Sequence, residues 1–541
     1  MAAVPSRDTA PEKALRSGLH ATGLRFKVCP KDIPGRPDLF FPGKGVAVFI
    51  DGDYWHGNSW RARGFVSMEE QFRKWRNSDF WIKKVTQNIR RDRTADAQLR
   101  AAGIRPLRVW ESEVVADLPA CLSRVKTALL YPGRGGAPPP TSLEMFTGAG
   151  GLALGIAHAG FEHLAIIEWD KHACATIRLN QRRLPVVAFW PVYEMDVRQF
   201  NFKPYADHVT TLAAGVPCQP FSLGGKHRGD SDTRNMFPEV MRAVRELRPK
   251  IIVIENVKGL LRQGFREYFE YISLQLEMPE LAPIADEDWR AHKTRLTRER
   301  RAGRVGGPLY DVTDQLVNCA DYGVPQVRER VFVAAIRRDL GVSWEHLNPT
   351  HTADALLYAQ WVDGSYWREH GLSAPRVPVH LAAQVKALEA KGLPPTAQRW
   401  RTVRDALRGL PSPENGRDHP DIGNHVGNPG ARSYPGHTGS PYDWPAKTLK
   451  AGVHGVPGGE NILRYENGRV RYFTAREAAR IQTFPDEYGF SGAWGECMRQ
   501  AGNAVPVRVG QLIGEHATRL LETAGAIHQA PNVELVTPIT G

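Results

Sequence analysis

The chain is short of cysteine and has no long hydrophobic run. Its six cysteines (Cys29, Cys121, Cys174, Cys218, Cys319, Cys497) are scattered over 541 residues with no Cys-x-x-Cys pair. That spacing argues against a disulfide framework and against a thiolate zinc site, so any special cysteine is one of chemistry rather than of structure. No segment approaches the roughly 18 consecutive apolar residues of a membrane helix, so no membrane partner is expected. The opening stretch MAAVPSRDTAPEK lacks the apolar core of a secretory leader, and a reducing cytoplasm is the expected location. No glycine loop ends in Gly-Lys-Ser/Thr, which removes a P-loop nucleotide site. Internal repeats are also lacking.

What is present is positive charge. The net charge is +13, and residues 1–130 hold 23 Lys and Arg against 14 Asp and Glu. A basic first quarter suits a polyanion, with nucleic acid the first candidate. The clearest seam is YPGRGGAPPPTS at 131–142, rich in Gly and Pro. The expected organisation is one domain at 1–130, a linker at 131–141 and a domain at 142–339. An irregular segment follows at 340–470, and a final stretch at 471–541 returns to order. Between 142 and 339, SLEMF, HLAIIEWD, VTTLAAGV and KIIVIENV alternate with helix-like segments, which predicts an α/β domain with a parallel sheet. At 474, Thr474 and Glu477 form a capping box ahead of AREAARIQ.

SLEMFTGAGGLALGIAHAGFE (142–162) reads as a strand, a glycine turn and a helix. Gly148, Gly150 and Gly151 let the backbone approach a ligand at the helix N-terminus. Glu168 stands 20 residues after Gly148, where an acid can hold ribose hydroxyls. Together these indicate a nucleoside cofactor without naming it. Trp169 can stack on an adenine or sit in the core.

Cys218 lies in AAGVPCQPFSLGG, at the carboxyl edge of the expected sheet, where open α/β folds bind ligands. KIIVIENV delivers Glu255 and Asn256 to the same edge, with Glu255 placed to donate a proton. QVRERVFVAA is expected to start a strand with Gln326, Arg328 and Arg330 alternating on one face, which offers two cations for an anionic oxygen. A thiolate, an acid and an arginine pair above a cofactor loop make a coherent centre. Thiolate attack at cytosine C6, with protonation at N3, would make C5 able to take a methyl group from a sulfonium.

FTGAGG, PCQPFS, ENV, QVRER, FTAREAARIQTFPD and GNAV stand in the order found in DNA cytosine-5 methyltransferases, which residues 141–525 resemble. The resemblance implies a Rossmann-like S-adenosylmethionine-dependent domain with Cys218 as nucleophile and Glu255 as N3 proton donor. It also implies that Arg330 contacts the base O2 and Arg328 holds the cysteine loop. Phe146, Gly148, Gly150, Glu168, Trp169, Asp196, Pro217, Asn503 and Ala504 would line the S-adenosylmethionine site. Asn256 and Arg328 can equally brace the loop. The substrate implied is double-stranded DNA with the target cytosine flipped out of the stack. The 340–470 segment falls where the family keeps its target recognition domain, and Thr448-Leu449 resembles a pair often found there.

In the first 130 residues, DTAPEKALRSGLHATGLRFKV reads as a capped helix running into a strand. PGRPDLFF and GVAVFIDGDYWHG are apolar runs joined by Pro42-Gly43-Lys44-Gly45. Paired as a hairpin, they bring Asp38 and Asp51 to one open end, with Asp53 and His56 beyond. Carboxylates beside a histidine are what a Mg²⁺-dependent phosphodiesterase needs. DFWIKKVTQNIRRDRTADAQLRAAG reads as a basic helix whose Lys83, Lys84, Arg90, Arg91 and Arg93 either meet phosphates or form a solvated face.

TAPEK, PGRPD, FWIKK, RRDR and RVWES resemble the very-short-patch repair (Vsr) endonucleases over residues 8–115. The resemblance implies a restriction-endonuclease-like α/β domain that nicks beside T·G mismatches, with Glu12, Asp38 and His56 at its active site. Asp51 replaces a usual His and becomes, with Asp38, a candidate metal ligand. Asp53, Asn58, Trp60 and Ser112 stand where zinc ligands are usual, so no structural zinc is expected. The expectation is a two-enzyme chain, monomeric and at the nucleoid of a bacterial or archaeal cell. Its nuclease serves either mismatch repair or the cutting of unmethylated DNA, unless the domain only binds DNA.

Overall fold

The computed structural model describes residues 7–527 except 64, 66–67, 74, 103, 131–138, 189, 218–234, 304–305, 436–437 and 452–460. Most of the glycine-proline seam and the whole of the Cys218 loop lie outside the described residues. The chain divides into two units, Met1–Pro139 with Gly525–Gly541 and Pro140–Ala524.

The first unit opens with the helix Ala10–Ala21, capped by Thr9, whose hydroxyl accepts from the Glu12 amide at 3.4 Å. Leu15 and Leu19, one turn apart, are completely buried. Four strands follow: β1 (Lys27–Val28), β2 (Leu39–Phe41), β3 (Val46–Asp51) and β4 (Arg105–Trp110), in sheet order β1-β2-β3-β4. β2 and β3 pair antiparallel with Leu39 opposite Val48, as the hairpin reading expects. β3 and β4 are parallel, so they need a crossover, and the 24-residue helix Ser78–Ala101 lies within it.

The second unit is built on seven strands: β5 (Thr141–Met145), β6 (Glu162–Glu168), β7 (Val192–Glu194), β8 (Thr211–Gly215), β9 (Ile251–Val257), β10 (Tyr310–Asn318) and β11 (Glu329–Arg337). Their order is β10-β11-β9-β8-β5-β6-β7. The pairings from β7 across to β9 are parallel, and β11 runs antiparallel to both its neighbours. Parallel strands are covered on both faces, which is why IIVI of β9 is uniformly apolar and buried. The strand order reverses between β5 and β8, and the crevice at their carboxyl ends is where such sheets bind ligands.

The helix Gly151–His158 packs directly on the backbone of Val507–Thr523. A Cβ on Gly151 would sit 2.2 Å from the Val505 carbonyl oxygen, and one on Gly155 2.4 Å from the Gln511 nitrogen. Only glycine permits that approach. The capping box at Thr474 and Glu477 is present, opening the helix Ala475–Ile481. Between β11 and this helix the chain forms short elements, among them the helices Ser365–Glu369 and Ala382–Ala390 and the strands Ile462–Arg464 and Val470–Tyr472. Their order depends on side chains. The Tyr366 hydroxyl donates to Asp443 at 2.7 Å, and Arg404 holds both Asp443 oxygens at 2.6 and 2.9 Å.

Candidate active sites

After β5 the chain turns through three residues in the left-handed region, Phe146 at φ 57°, Gly148 at 58° and Gly150 at 84°. Phe146 pays a steric cost there that glycine avoids, and is held by packing against the core. Glu168, at the end of β6, pins the turn by accepting from the amides of Gly148 at 2.7 Å, Trp169 at 2.9 Å and Asp170 at 2.8 Å. Burial pushes its carboxyl up, and the three amides pull against that shift. A Cβ on Gly148 would meet nothing within 4 Å, whereas one on Gly150 would come within 3.0 Å of the Tyr488 hydroxyl. Gly148 therefore faces open space and Gly150 is packed from below. Trp169 is 74% exposed, so of its two readings the core one is removed. Asp196 is held by Arg198 at 3.0 Å, which keeps its carboxyl below the usual range.

β8 ends at Gly215, opposite Glu255, and leads through Val216 and Pro217 toward Cys218, which is outside the described residues. Glu255 Oε1 lies 2.8 Å from Arg330 Nε as an ion pair, both side chains nearly buried. Asn256 Oδ1 accepts from the Val257 amide at 2.8 Å, and its Nδ2 lies 3.4 Å from the Val216 carbonyl. It braces the base of the cysteine loop.

One expectation needs correcting. Gln326, Arg328 and Arg330 do not share one strand face, because β11 begins at Glu329 and the residues before it pair elsewhere. The Val327 amide donates to the Ala446 carbonyl at 2.8 Å, drawing that stretch toward the later segment. Arg328 is 1% exposed and donates to the carbonyls of Gly502 at 2.8 Å and Leu449 at 3.3 Å. Gln326 Oε1 accepts from the Leu449 amide at 2.9 Å, and its Nε2 donates to Gln482 at 3.1 Å. Thr448 Oγ1 donates to the Val327 carbonyl at 2.8 Å. Arg328 thus belongs to a buried bracket joining three distant segments, and Arg330 is the arginine at Glu255. Asn503 ends the helix Trp494–Asn503 exposed, with Ala504 buried beside it.

In the first unit, the half-buried Asp38 accepts from the Ile50 amide at 2.7 Å. Burial, with Glu12 and Asp51 nearby, pushes its carboxyl up to about 6. Glu12 is buried and already engaged, by Arg16 at 2.6 Å, the Asp8 amide at 2.9 Å and the Thr9 hydroxyl at 3.2 Å. His56 Nδ1 lies 2.6 Å from Asp92 Oδ2 and 3.7 Å from Asp51 Oδ1. Asp51 receives Arg108 Nη1 on both oxygens, at 2.8 and 2.9 Å. The expected Asp38 and Asp51 pair is therefore one half-buried carboxylate held by a single backbone amide and one bound to a guanidinium. Among the described residues no group of three or more His, Cys, Asp or Glu side chains is arranged to hold a metal. Mg²⁺ binds through one or two carboxylates plus substrate phosphates, a demand that Asp38 fits and Asp51 does not.

Of the residues expected where zinc ligands are usual, Asp53 accepts from Asn58 Nδ2 at 2.5 Å, Ser112 Oγ at 2.7 Å and the Ser112 amide at 2.9 Å. Lys83, Lys84, Arg90 and Arg91 are exposed on their helix, and the Arg93 side chain is outside the described residues.

A family profile described as C-5 cytosine-specific DNA methylase matches residues 141–279 and 292–519. The chain belongs to this family. A second profile, described as DNA mismatch endonuclease Vsr, matches residues 1–62 of this methylase. The type II methyltransferase M.Eco47II of Escherichia coli is 31% identical over 393 residues, covering 71% of this chain and 79% of its own. M.NgoMIV of Neisseria gonorrhoeae is 31% identical over 391 residues, covering 71% and 98%. Among solved structures, the S. pombe Dnmt2 methyltransferase is 17% identical and covers 71% of this chain and 98% of its own, with a TM-score of 0.40. No helix among the methylase's described residues is long and apolar enough to cross a membrane.

Sequence reasoning missed several groups. Glu144, in the middle of β5, is 1% exposed and burial pushes its carboxyl well up; an acid inside SLEMF is the signal. Asp92 and Asp96 have i,i+4 spacing in RRDRTAD, which places both on one helix face toward Arg108. Nothing local marks Gln482, because its partners Gln326, Ala501 and Ala504 are distant in sequence or role.

Proposed function

We propose that residues 142–339 and 471–541 of this methylase form one catalytic domain that methylates cytosine C5 in duplex DNA through Cys218. Residues 340–470 read the site, and the target base is flipped into the crevice. The observation that carries this reading is the Glu255–Arg330 pair at 2.8 Å, set at the sheet edge to which β8 delivers the Cys218 loop. The Cys218 thiolate adds to C6, Glu255 gives a proton to N3 and Arg330 holds O2. C5 then becomes enamine-like and able to take a methyl group; loss of the C5 proton afterwards restores the double bond and expels the Cys218 thiolate, and N3 returns its proton to Glu255. S-adenosylmethionine, when bound, supplies an electrophilic methyl group. The open space at Gly148, the pinned Glu168 and the exposed Trp169 suit its nucleoside, with Phe146, Gly150, Asp196, Pro217, Asn503 and Ala504 completing the proposed site.

Residues 1–130 we read as a DNA endonuclease, tethered through 131–141, that nicks T·G mismatches formed when 5-methylcytosine deaminates. Asp38 would anchor Mg²⁺, which lowers the pKa of bound water and offsets charge on phosphate. His56, aimed by Asp92, is placed to move a proton, and Glu12 orders the helix beside Asp38. A restriction role against unmethylated DNA gains from one observation, the Asp53 hub in place of zinc ligands, which separates this unit from the repair family's usual build.

The test is base-resolution mapping of 5-methylcytosine in a methylation-free host expressing the full chain, with Cys218→Ser as control. One motif methylated only by the wild type supports the transferase and supplies the site. T·G duplexes and unmethylated plasmid carrying that site then separate repair from restriction, and metal-independent binding without cutting would defeat both.

A further inference from the structure

The acidic cluster around His56 already contains a cation. Arg108 Nη1 meets both Asp51 oxygens at 2.8 and 2.9 Å, and its Nε meets Asp96 at 3.1 and 3.2 Å. Nη2 lies 3.0 Å from Asp96 Oδ1 and 3.7 Å from Asp92 Oδ1, and donates to the Asp92 carbonyl at 3.3 Å. The guanidinium stacks on Phe49 at 4.4 Å from the ring centroid. Its planar fork is saturated in three directions, a geometry that fixes it far more firmly than a lysine would be. Three aspartates from two elements, β3 and the helix Ser78–Ala101, thus converge on one side chain of β4. Clustered carboxylates without a counter-charge are costly to bury, and proteins supply either a metal or a basic side chain. Here His56, 2.6 Å from Asp92, is a second basic partner, positive when protonated.

We propose that Arg108 is the resident cation of the Asp51–Asp92–Asp96 cluster, standing where a divalent ion would otherwise bind. Building on the nuclease reading above, this limits the first unit to a single divalent ion, anchored on Asp38 and completed by substrate phosphate. A two-metal clamp, which needs ions about 3.5–4 Å apart held by shared carboxylates, has no second seat among the described residues. Arg108 is a positioning residue. Through the Asp92 carbonyl at 3.3 Å it fixes the helix turn that carries the Asp92 side chain to His56.

Mn²⁺ binding to the full chain, counted by electron paramagnetic resonance without DNA, tests this independently of any cleavage. In the wild-type chain, no Mn²⁺ that survives Asp38→Asn should be lost on Asp51→Asn or Asp96→Asn. Arg108→Met should take up one additional Mn²⁺ per chain, and the double variant Arg108→Met/Asp51→Asn should lose it. A wild-type site that Asp51→Asn abolishes while Arg108 is intact would overturn the assignment, as would a folded Arg108→Met chain with no additional ion. Should Arg108→Met fail to fold, the wild-type comparison with Asp51→Asn and Asp96→Asn still decides. Failure of the nuclease reading alone would appear as absent cutting with this ion count unchanged.

Discussion

At the edge of the seven-stranded sheet, Glu255 and Arg330 hold each other, but Glu168 and Arg328 hold backbone. Glu168 takes three amides, and Arg328 takes the carbonyls of Leu449 and Gly502. In the first unit the charged side chains hold one another, with Arg108 among Asp51, Asp92 and Asp96. A site clamped through backbone tolerates change in one side chain so long as the loops stay closed. A site made of mutually compensating charges does not, since removing any member leaves the others unpaired in a poorly solvated place. The methylase half also places its chemistry on strand ends, while the first unit draws its cluster from two strands and a long helix.

The largest effects are expected where a residue touches the reacting base. Cys218→Ser should abolish methyl transfer while DNA binding persists in a gel-shift assay. Glu255→Gln should lower single-turnover methylation by about 10²–10⁴-fold with DNA affinity held, the usual size for a general acid. Methylation surviving in Cys218→Ser would remove the covalent route. In the other half, Asp38→Asn should abolish Mg²⁺-dependent nicking of whichever duplex the mapped site identifies. Cutting that survives the change would place the metal elsewhere and weaken the contrast between the two sites.

How much of this was legible in sequence follows the same divide. β5, β6, β8 and β9 were readable because a parallel strand covered on both faces is an apolar run, and Gly148 and Gly150 mark a turn that only positive φ can make. The Thr474 cap was readable since its partner lies three residues away. Arg328 was misplaced because its partners are 121 and 174 residues distant, and alternation in QVRER looks the same whether or not a strand has begun. The pairing of Asp51 with Arg108, 57 residues apart, was equally hidden, and the carboxylate read as an open ligand. Backbone preferences are local and show in sequence, whereas long-range charge pairing does not.

An intermediate effect belongs to His163, buried under the cofactor loop between the Ser142 hydroxyl at 2.8 Å and the Ala153 carbonyl at 2.9 Å. Burial lowers its pKa from 6.5 to about 4, so it folds neutral, with the unfolded chain binding the proton first on acidification. Stability present above pH 6.5 is therefore lost as pH falls from about 6.5 through about 4, by on the order of 3 kcal/mol once both values are passed. The transition belonging to the methylase half is the one that added S-adenosylmethionine shifts upward in thermal melting. His163→Asn should flatten its acid limb over that window, and an unchanged limb would assign the loss to other groups.

The smallest expected effect lies at Asp53, and it asks whether side chains alone can replace an ion. A structural zinc ties distant segments through four ligands. Here Asp53 reaches Asn58 locally by a part-buried hydrogen bond and Ser112 across 59 residues by two exposed ones. Such bonds contribute only about 0.5–1.5 kcal/mol each, against the far larger folding contribution of a bound zinc. Asp53→Ala should lower the stability of the first unit by about 1–2 kcal/mol, and a strong chelator should not shift its melting temperature. A chelator-sensitive transition would mean that an ion still holds this corner. A change near zero in Asp53→Ala would mean that the two segments are fixed by their own strands and helices. In that case the packing of the two segments already makes the tie, and the Asp53 hydrogen bonds add nothing to it.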